Sequence, residues 1–224
     1  MTLALKLTNV GMRFAMNSGG QKGHFQALTE LDLDVNRGDK LGLIGGNGAG
    51  KSTLLRLAAG FLKPEQGHLT YTHSDGSEDR DVETFREHIH YVGHLDPVKP
   101  AFTVFENLEF WSGFEGNPDP KSGAEEALDR MALTHIADVP GRYLSAGQRR
   151  RLNIARIAAA KKPVWLLDEP SVSLDDASVT LLAGLIGEHR NSGGMVIAAT
   201  HIDLGFESSE TLTLEPAKMP DYAL

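Results

Sequence analysis

A glycine-rich stretch between an apolar run and a helical pattern is the first feature of this chain that indicates chemistry. It reads Gly45-Gly46-Asn47-Gly48-Ala49-Gly50-Lys51-Ser52, followed by Thr53, and it fits G-x-x-x-x-G-K-[ST] at every fixed position. Glycines let backbone N–H groups converge on phosphate oxygens, and the first turn of the following helix adds unpaired N–H groups. Lys51 supplies positive charge for the outer phosphates, and the Ser52 hydroxyl can ligate Mg²⁺. The stretch therefore predicts a site for a nucleoside triphosphate and Mg²⁺.

An acidic pair ends a second apolar run. The run 164–167 is followed by Asp168 and Glu169. A carboxylate at the carboxyl end of a parallel strand, beside a phosphate-binding loop, is where nucleotide sites of this kind hold Mg²⁺. Asp168 suits that role, acting through a water molecule, and Glu169 could polarise the attacking water as general base. The alternative is a solvated acidic turn closed by Pro170, which the phosphate loop upstream makes the weaker interpretation.

A serine-led stretch, Leu144-Ser145-Ala146-Gly147-Gln148, stands directly before a helical pattern. Ser145 and Gln148 have the spacing of a capping box, so structural capping is one interpretation. Three arginines at 149–151 lie in the first turn, where the helix dipole disfavours cations. A bound anion would compensate for them, and a solvated basic face is the alternative. With an anion, Ser145, the Gly147 N–H and the helix end would form a second phosphate cradle.

Histidines give weaker signals. His201 follows an apolar run at 195–199, where either a γ-phosphate contact or a structural role is possible. His88 and His90 alternate onto one face of a predicted strand, but no fourth ligand or carboxylate pattern accompanies them. The sequence therefore does not favour a metal site on that strand.

The elements that must position these residues follow from hydrophobic patterning. Alternation predicts strands at 3–7 and 31–35, and a polar, glycine-rich stretch at 17–23 predicts a flexible surface loop. Helical patterns at 103–110 and 124–131, separated by glycines and prolines, lie between the two halves of the nucleotide core. They indicate an inserted helical subdomain, at roughly 95–155 of a single domain spanning 1–224.

Composition limits the partners. The 224 residues carry a formal net charge of −8, and no basic stripe with interleaved aromatics is present, so nucleic acid is not an expected partner. There are no cysteines, which excludes disulfides and thiolate metal sites. The N-terminal residues lack the order of a signal peptide, and no apolar run approaches the roughly 20 residues of a spanning helix. Any membrane role is expected to depend on a partner.

Together these stretches resemble the ATP-binding cassette (ABC) family, and the likeness covers essentially the whole chain. Residues 45–52 resemble its Walker A motif, Leu144 to Gln148 its signature, 164–169 its Walker B motif, Ser173 and Asp175 its D-loop, and His201 its switch histidine. The resemblance implies an α/β fold: a P-loop NTPase core of mixed β-sheet flanked by helices, with an antiparallel β-subdomain and the helical subdomain. It also implies ATP hydrolysis with Mg²⁺ in a head-to-tail dimer, each ATP lying between Walker A of one subunit and the signature of the other. The adenine-stacking aromatic of the family falls near Phe14.

Two positions depart from the family pattern. Ala146 stands in the signature where Gly is usual, a change between small residues. His94 stands at the Q-loop position instead of Gln, counted back from 106–108. Gln would help to place Mg²⁺ and water and relay to the membrane subunit; His could do either, and its protonation then matters.

Three stretches, 91–94, 103–108 and 144–152, closely resemble the ATPases of bacterial haem exporters used in cytochrome c maturation. This likeness implies a cassette on the cytoplasmic face of the inner membrane, bound to integral membrane subunits and serving haem delivery. The N-terminal third is more similar to ATPases of polysaccharide exporters, so a glycan exporter remains an alternative. A soluble regulatory cassette is a third, although such proteins usually fuse two cassettes or insert long coiled coils.

Overall fold

The computed structural model describes residues 2–18, 21–73, 75–81, 85–200 and 210–215. The strands are β1 (Thr2–Ser18), β2 (Gln21–Asn36), β3 (Lys40–Ile44), β4 (Gln66–His73), β5 (Glu78–Asp79), β6 (Ile89–Val92), β7 (Val164–Asp168), β8 (Met195–Ala199) and β9 (Glu210–Thr213). The helices are α1 (Lys51–Ala58), α2 (Val104–Phe114), α3 (Pro120–Arg130), α4 (Ala146–Ala159) and α5 (Asp176–Asn191), with 3₁₀ turns at Arg86–His88, Thr134–Ile136 and Gly141–Tyr143.

A parallel sheet of order β6-β7-β8-β3-β9 forms the nucleotide core. Strands β7 and β8 are buried along their whole length, as expected for parallel strands covered on both faces. Because the strands are parallel, the loop after β3 and the carboxyl end of β7 open at the same edge. This is the predicted α/β core, with the parallel and antiparallel strands of the described residues in separate sheets.

The antiparallel sheet has the order β2-β1-β4-β5 and contains one long hairpin. The prediction of a flexible loop at 17–23 is wrong for its described residues, because Asn17 pairs with Lys22 and Ser18 with Gln21. Phe14 lies opposite Phe25 in the same ladder, and aromatic cross-strand pairs of this kind stabilise a hairpin. The polar and glycine content of this stretch concealed the two strands. Each strand is stabilised by pairing with the other, and no pattern within one segment reveals that pairing.

The helices α2, α3 and α4 pack on one another and on one face of the parallel sheet. Their shared core contains Leu108, Ala127, Met131 and Leu152, all at most 2% exposed. Helix α2 begins at Thr103 with a capping box, since the Glu106 N–H donates to Thr103 Oγ1 at 3.1 Å and the Thr103 N–H to Glu106 Oε2 at 2.7 Å. These helices are the predicted helical insertion.

A buried group of charges joins α2 to the parallel sheet. The Glu115 carboxylate pairs with Lys162, accepts from Arg156 Nη2 at 3.3 Å and lies 4.0 Å from His90 Nδ1. His90 is 2% exposed, and its Nε2 lies 2.7 Å from the Ala160 carbonyl oxygen. Burial lowers the pKa of His90 from 6.5 to about 4. His90 is therefore neutral in the folded protein at pH 7.

His90 predicts a loss of stability in mild acid. Below pH 6.5, His90 is protonated in the unfolded chain, whereas in the folded protein it stays neutral down to about pH 4. The free energy of unfolding should therefore fall as pH drops through this window, by ~3 kcal/mol in total from this one group. Urea unfolding at pH 7.5 and pH 5 should show a smaller fall for His90→Gln than for wild type. The exposed His135→Gln is the control, and equal falls in all three proteins would contradict the assignment.

Candidate functional site

The loop after β3 has the backbone that a phosphate site requires. Gly45 has φ +154° and Gly50 has φ +94°, values that residues with a Cβ rarely adopt. A Cβ would also lie 2.6 Å from the Leu214 carbonyl oxygen at Gly45 and 2.5 Å from the Ala27 carbonyl oxygen at Gly50. These two glycines are therefore fixed by the close approach of backbone, and they turn the chain into α1.

Lys51 lies over this loop as the first residue of α1. Its Nζ donates to the carbonyl oxygens of Gly45 at 2.6 Å and Gly46 at 3.2 Å, and the residue is 8% exposed. These contacts hold a positive charge beside the backbone of the glycine-rich loop. The combination suits a polyanion such as the outer phosphates of a nucleotide.

Two predicted Mg²⁺ ligands meet across the sheet. Ser52 Oγ donates to Asp168 Oδ1 at 3.0 Å, although the two residues are 116 positions apart. Asp168 is 3% exposed at the end of β7. A hydroxyl and a carboxylate are the oxygen donors that Mg²⁺ prefers, and both positions sit beside the loop. The donor set fits Mg²⁺.

Tyr91 is a neighbour of this pair that sequence reasoning missed. Burial raises the pKa of Tyr91 above its ordinary value, and its hydroxyl lies near enough to Asp168 and Arg56 for their charges to act on that pKa. Alternation along β6 could have suggested which face of the sheet Tyr91 occupies. It could not have shown that the hydroxyl reaches the end of β7.

Glu169 and His94 line one cavity of about 300 Å³ together with residues 46–53 and Asp168. Glu169 has φ +48°, an uncommon conformation for a residue with a side chain, and its N–H donates to the Ala199 carbonyl oxygen at 2.8 Å. His94 is exposed at the mouth of the same cavity. The predicted base Glu169, the predicted metal ligand Asp168 and the Q-loop residue His94 thus line the same cavity.

Phe25 is the aromatic residue that lines this cavity among the described residues. Phe14, the predicted base contact, lies opposite Phe25 on the neighbouring strand and packs against the core of the antiparallel sheet. Phe14 was taken from the resemblance to the family, and its contact with the base stays a prediction.

The serine-led stretch caps α4. The Gln148 N–H donates to Ser145 Oγ at 3.2 Å, and the Ser145 N–H donates to Gln148 Oε1 at 2.9 Å, so the capping interpretation is confirmed. Ser145 and Ala146 are exposed, Leu144 is buried, and Gly147 lies near the Ser173 backbone. Within the described residues, none of the five positions 144–148 lines the cavity beside Lys51.

Arg150 overturns part of the anion hypothesis. It is 3% exposed and donates to backbone carbonyls and to Asp96, so it is neither on a solvated basic face nor available to a phosphate. The sequence could not reveal this burial, because the carbonyl oxygens come from segments distant in the chain.

The two predicted D-loop residues lie in the segment before α5. Asp175 caps α5 by accepting from the Ser178 N–H at 2.9 Å, and hydrogen bonds from the Ser178 hydroxyl and from this N–H lower the pKa of Asp175. Ser173 has φ +67°. The predicted switch histidine, His201, lies outside the described residues, so its role stays a prediction.

The sequence profile of the ABC transporter family matches residues 28–172. The cytochrome c biogenesis ATP-binding export protein CcmA of Paramagnetospirillum magneticum is 41% identical, over 90% of this chain and 93% of its own. The protein of the same name from Nitrobacter hamburgensis is 44% identical, over 92% and 97%.

Solved structures agree with the sequence relatives. The dimeric bacterial ABC transporter cassette MJ0796 has a TM-score of 0.79 and 25% identity, covering 95% of this chain and 94% of its own. A post-hydrolysis dimer of MJ0796 bound to ADP and phosphate has a TM-score of 0.78 and 25% identity, over 96% and 97%. No helix among the described residues is long and apolar enough to cross a membrane. The chain belongs to the ABC transporter family, as a subunit that binds and hydrolyses ATP.

Proposed function

We propose that this chain is the ATPase of a cytochrome c biogenesis export complex, at the cytoplasmic face of the bacterial inner membrane. The observation that carries the assignment is the identity of 41–45%, over at least 84% of the chain, with proteins named cytochrome c biogenesis ATP-binding export protein CcmA. The cargo served by that complex is haem.

Each residue of the site has a separate role in the hydrolysis of ATP. The loop 45–50 and Lys51 bind the β- and γ-phosphates, and Ser52 and Asp168 hold Mg²⁺, the latter through water. Mg²⁺ supplies charge neutralisation to the phosphates when it is bound. Glu169 accepts the proton of the attacking water. As this proton leaves, the water oxygen bonds to the γ-phosphorus, and the bond between the γ-phosphorus and the β-phosphate oxygen breaks. The products are ADP and phosphate, and His94 contacts the water or Mg²⁺ from the cavity mouth.

Two copies of the chain act together in this proposal. The exposed start of α4, with Ser145 and Ala146, does not line the chain's own nucleotide cavity, and the similar cassette MJ0796 is dimeric. A helix N-terminus with exposed serine suits the γ-phosphate of a nucleotide bound to the other copy. His201 would contact the same phosphate.

A groove between the sheet and α2 is the proposed docking site for a membrane subunit. It has a volume of about 790 Å³ and is lined by Phe61, Tyr91, Trp111 and Phe114, with Arg86 and Lys161 at its edge. Phe61 is 55% and Phe114 72% exposed, which is unusual for large apolar side chains. A short apolar segment carrying a carboxylate would complement the groove.

Gene replacement in the native bacterium tests the proposal. Cells lacking this chain should lose covalently bound haem in their c-type cytochromes, measured by in-gel haem staining, and retain surface polysaccharide. Wild type should restore the stain and Glu169→Gln should not. A Phe61→Ser/Trp111→Ser double variant should hydrolyse ATP when purified, yet fail to restore the stain or to copurify with the membrane subunits of cytochrome maturation.

The opposite pattern identifies the alternatives. Intact c-type cytochromes with lost surface polysaccharide would favour a glycan exporter. Intact cytochromes and polysaccharide, with a chain that never copurifies with an integral membrane protein, would favour a soluble regulatory cassette. His135→Gln, which changes an exposed ring that does not line the groove, serves as the control and should restore the haem stain.

A further inference from the structure

The Arg150 guanidinium is enclosed by acceptors from two loops. Nη1 donates to the Gly93 carbonyl oxygen at 2.9 Å and to Asp96 Oδ1 at 3.1 Å. Nη2 donates to the carbonyl oxygens of Asp168 at 3.1 Å and Glu169 at 2.6 Å. Nε lies 3.3 Å from the Pro170 carbonyl oxygen. All three nitrogens of a planar, permanently charged group are thus engaged, which fixes its orientation.

These acceptors belong to the two segments that carry the proposed catalytic side chains. Residues 93–96 follow β6 and include His94, whereas residues 168–170 comprise the last residue of β7 and the two after it, including Glu169. Asn153, one turn further along α4, also donates to Asp96 Oδ1, at 2.9 Å. Helix α4 therefore holds both segments at a set separation through two side chains.

The shortest of the five contacts is made to the residue with the least common backbone. Glu169 has φ +48°, and such a conformation persists only where its surroundings fix it. The 2.6 Å bond from Arg150 to the Glu169 carbonyl oxygen is one such restraint. Loss of it would let the Glu169 backbone relax and move the carboxylate.

We propose that Arg150 is a positioning residue, which fixes the position of the Glu169 carboxylate relative to the His94 segment and to the start of α4. A shift of residues 93–96, as when a partner docks beside them, then reaches Glu169 through one guanidinium. The inference rests on the proposed roles of Glu169 and His94 and goes beyond them. It also explains how an arginine is accommodated near the start of a helix, since five oxygen acceptors compensate for the unfavourable dipole.

Arg150→Gln separates positioning from nucleotide binding. The purified variant should bind ATP with a Kd within about twofold of wild type, because the loop 45–52 does not contact Arg150, while kcat falls about 10- to 100-fold. In a Glu169→Gln background it should still dimerise with ATP, because Ser145 remains at the helix start. Arg130→Gln, which removes an arginine from α3, is the control and should leave kcat unchanged.

Unchanged kcat in Arg150→Gln overturns the proposal. Loss of ATP binding or of ATP-dependent dimerisation together with kcat also overturns it, because the arginine would then support the fold of α4 in general. If Arg150→Gln does not fold, Asp96→Asn decides: it keeps the shape but weakens the hold on the His94 segment. A severalfold lower kcat with unaltered Kd and Tm would support the proposal, and wild-type kcat would overturn it. Failure of the cytochrome assignment would leave these purified-protein results unaffected.

Discussion

Glu169→Gln is expected to lower ATP turnover by about 10²- to 10⁴-fold, the range that a general base contributes. The amide keeps the size and the hydrogen-bonding reach of the carboxylate but cannot accept the proton of the attacking water. The Glu169 N–H bond to the Ala199 carbonyl oxygen is made by the backbone, so the substitution leaves the loop in place. The measurement is steady-state phosphate release from purified protein at saturating ATP and Mg²⁺.

If Glu169 acts as the general base, Glu169→Gln must still bind ATP. Lys51 and Ser52 are unchanged in the variant, so its Kd for ATP should match wild type, and blocked hydrolysis should make the ATP-bound dimer accumulate in gel filtration. Ser145→Arg in the same background should abolish this dimer, because a large side chain would fill the proposed contact at the helix start. Glu125→Gln, an exposed change on α3, is the matched control. Equal turnover in Glu169→Gln and wild type would exclude this carboxylate as the base.

Local motifs predicted a group of residues that lines one cavity in the structure, because the geometry of these motifs is local. The glycines at 45 and 50 and the lysine and serine that follow them form one turn, whose shape depends on adjacent residues. The meeting of Ser52 with Asp168 was also predictable, since parallel strands present their carboxyl ends at one edge. The same reasoning identified the capping box at Ser145, although it could not choose between capping and phosphate binding.

The residues that the sequence concealed are those defined by contacts distant in the chain. Phe25 was missed because the hairpin of β1 and β2 is stabilised by cross-strand pairs, which no single segment contains. For the three adjacent arginines the sequence left a compensating anion and a solvated basic face as alternatives, because nothing local distinguishes one arginine from the next. Arg150 instead donates to both of the segments that carry the proposed catalytic side chains. Tyr91 lies near Asp168 because β6 pairs with β7.

Lys51→Ala is expected to weaken ATP binding by about 10²-fold or more. Charge-assisted hydrogen bonds are worth about 1.5–3 kcal/mol each, and an ammonium between two phosphates can make two of them. The change should cost the nucleotide-free protein little stability, because Nζ bonds only the carbonyls of Gly45 and Gly46, at a loop that water can reach. The effect should therefore be confined to the liganded state.

Thermal unfolding with and without nucleotide separates these two states. At ATP concentrations near 100 times the wild-type Kd, binding stabilises wild type by about 2.7 kcal/mol, and Lys51→Ala should lose most of that increment. Its Tm without ATP should stay close to wild type, and Lys63→Ala, an exposed lysine just beyond α1, should retain the full increment. An ATP-dependent rise in Tm equal to that of wild type would mean that the backbone N–H groups bind the phosphates without the ammonium. A fall in Tm without ATP would instead assign Lys51 to the fold of the loop, since its two carbonyl contacts would then outweigh its contacts with phosphate.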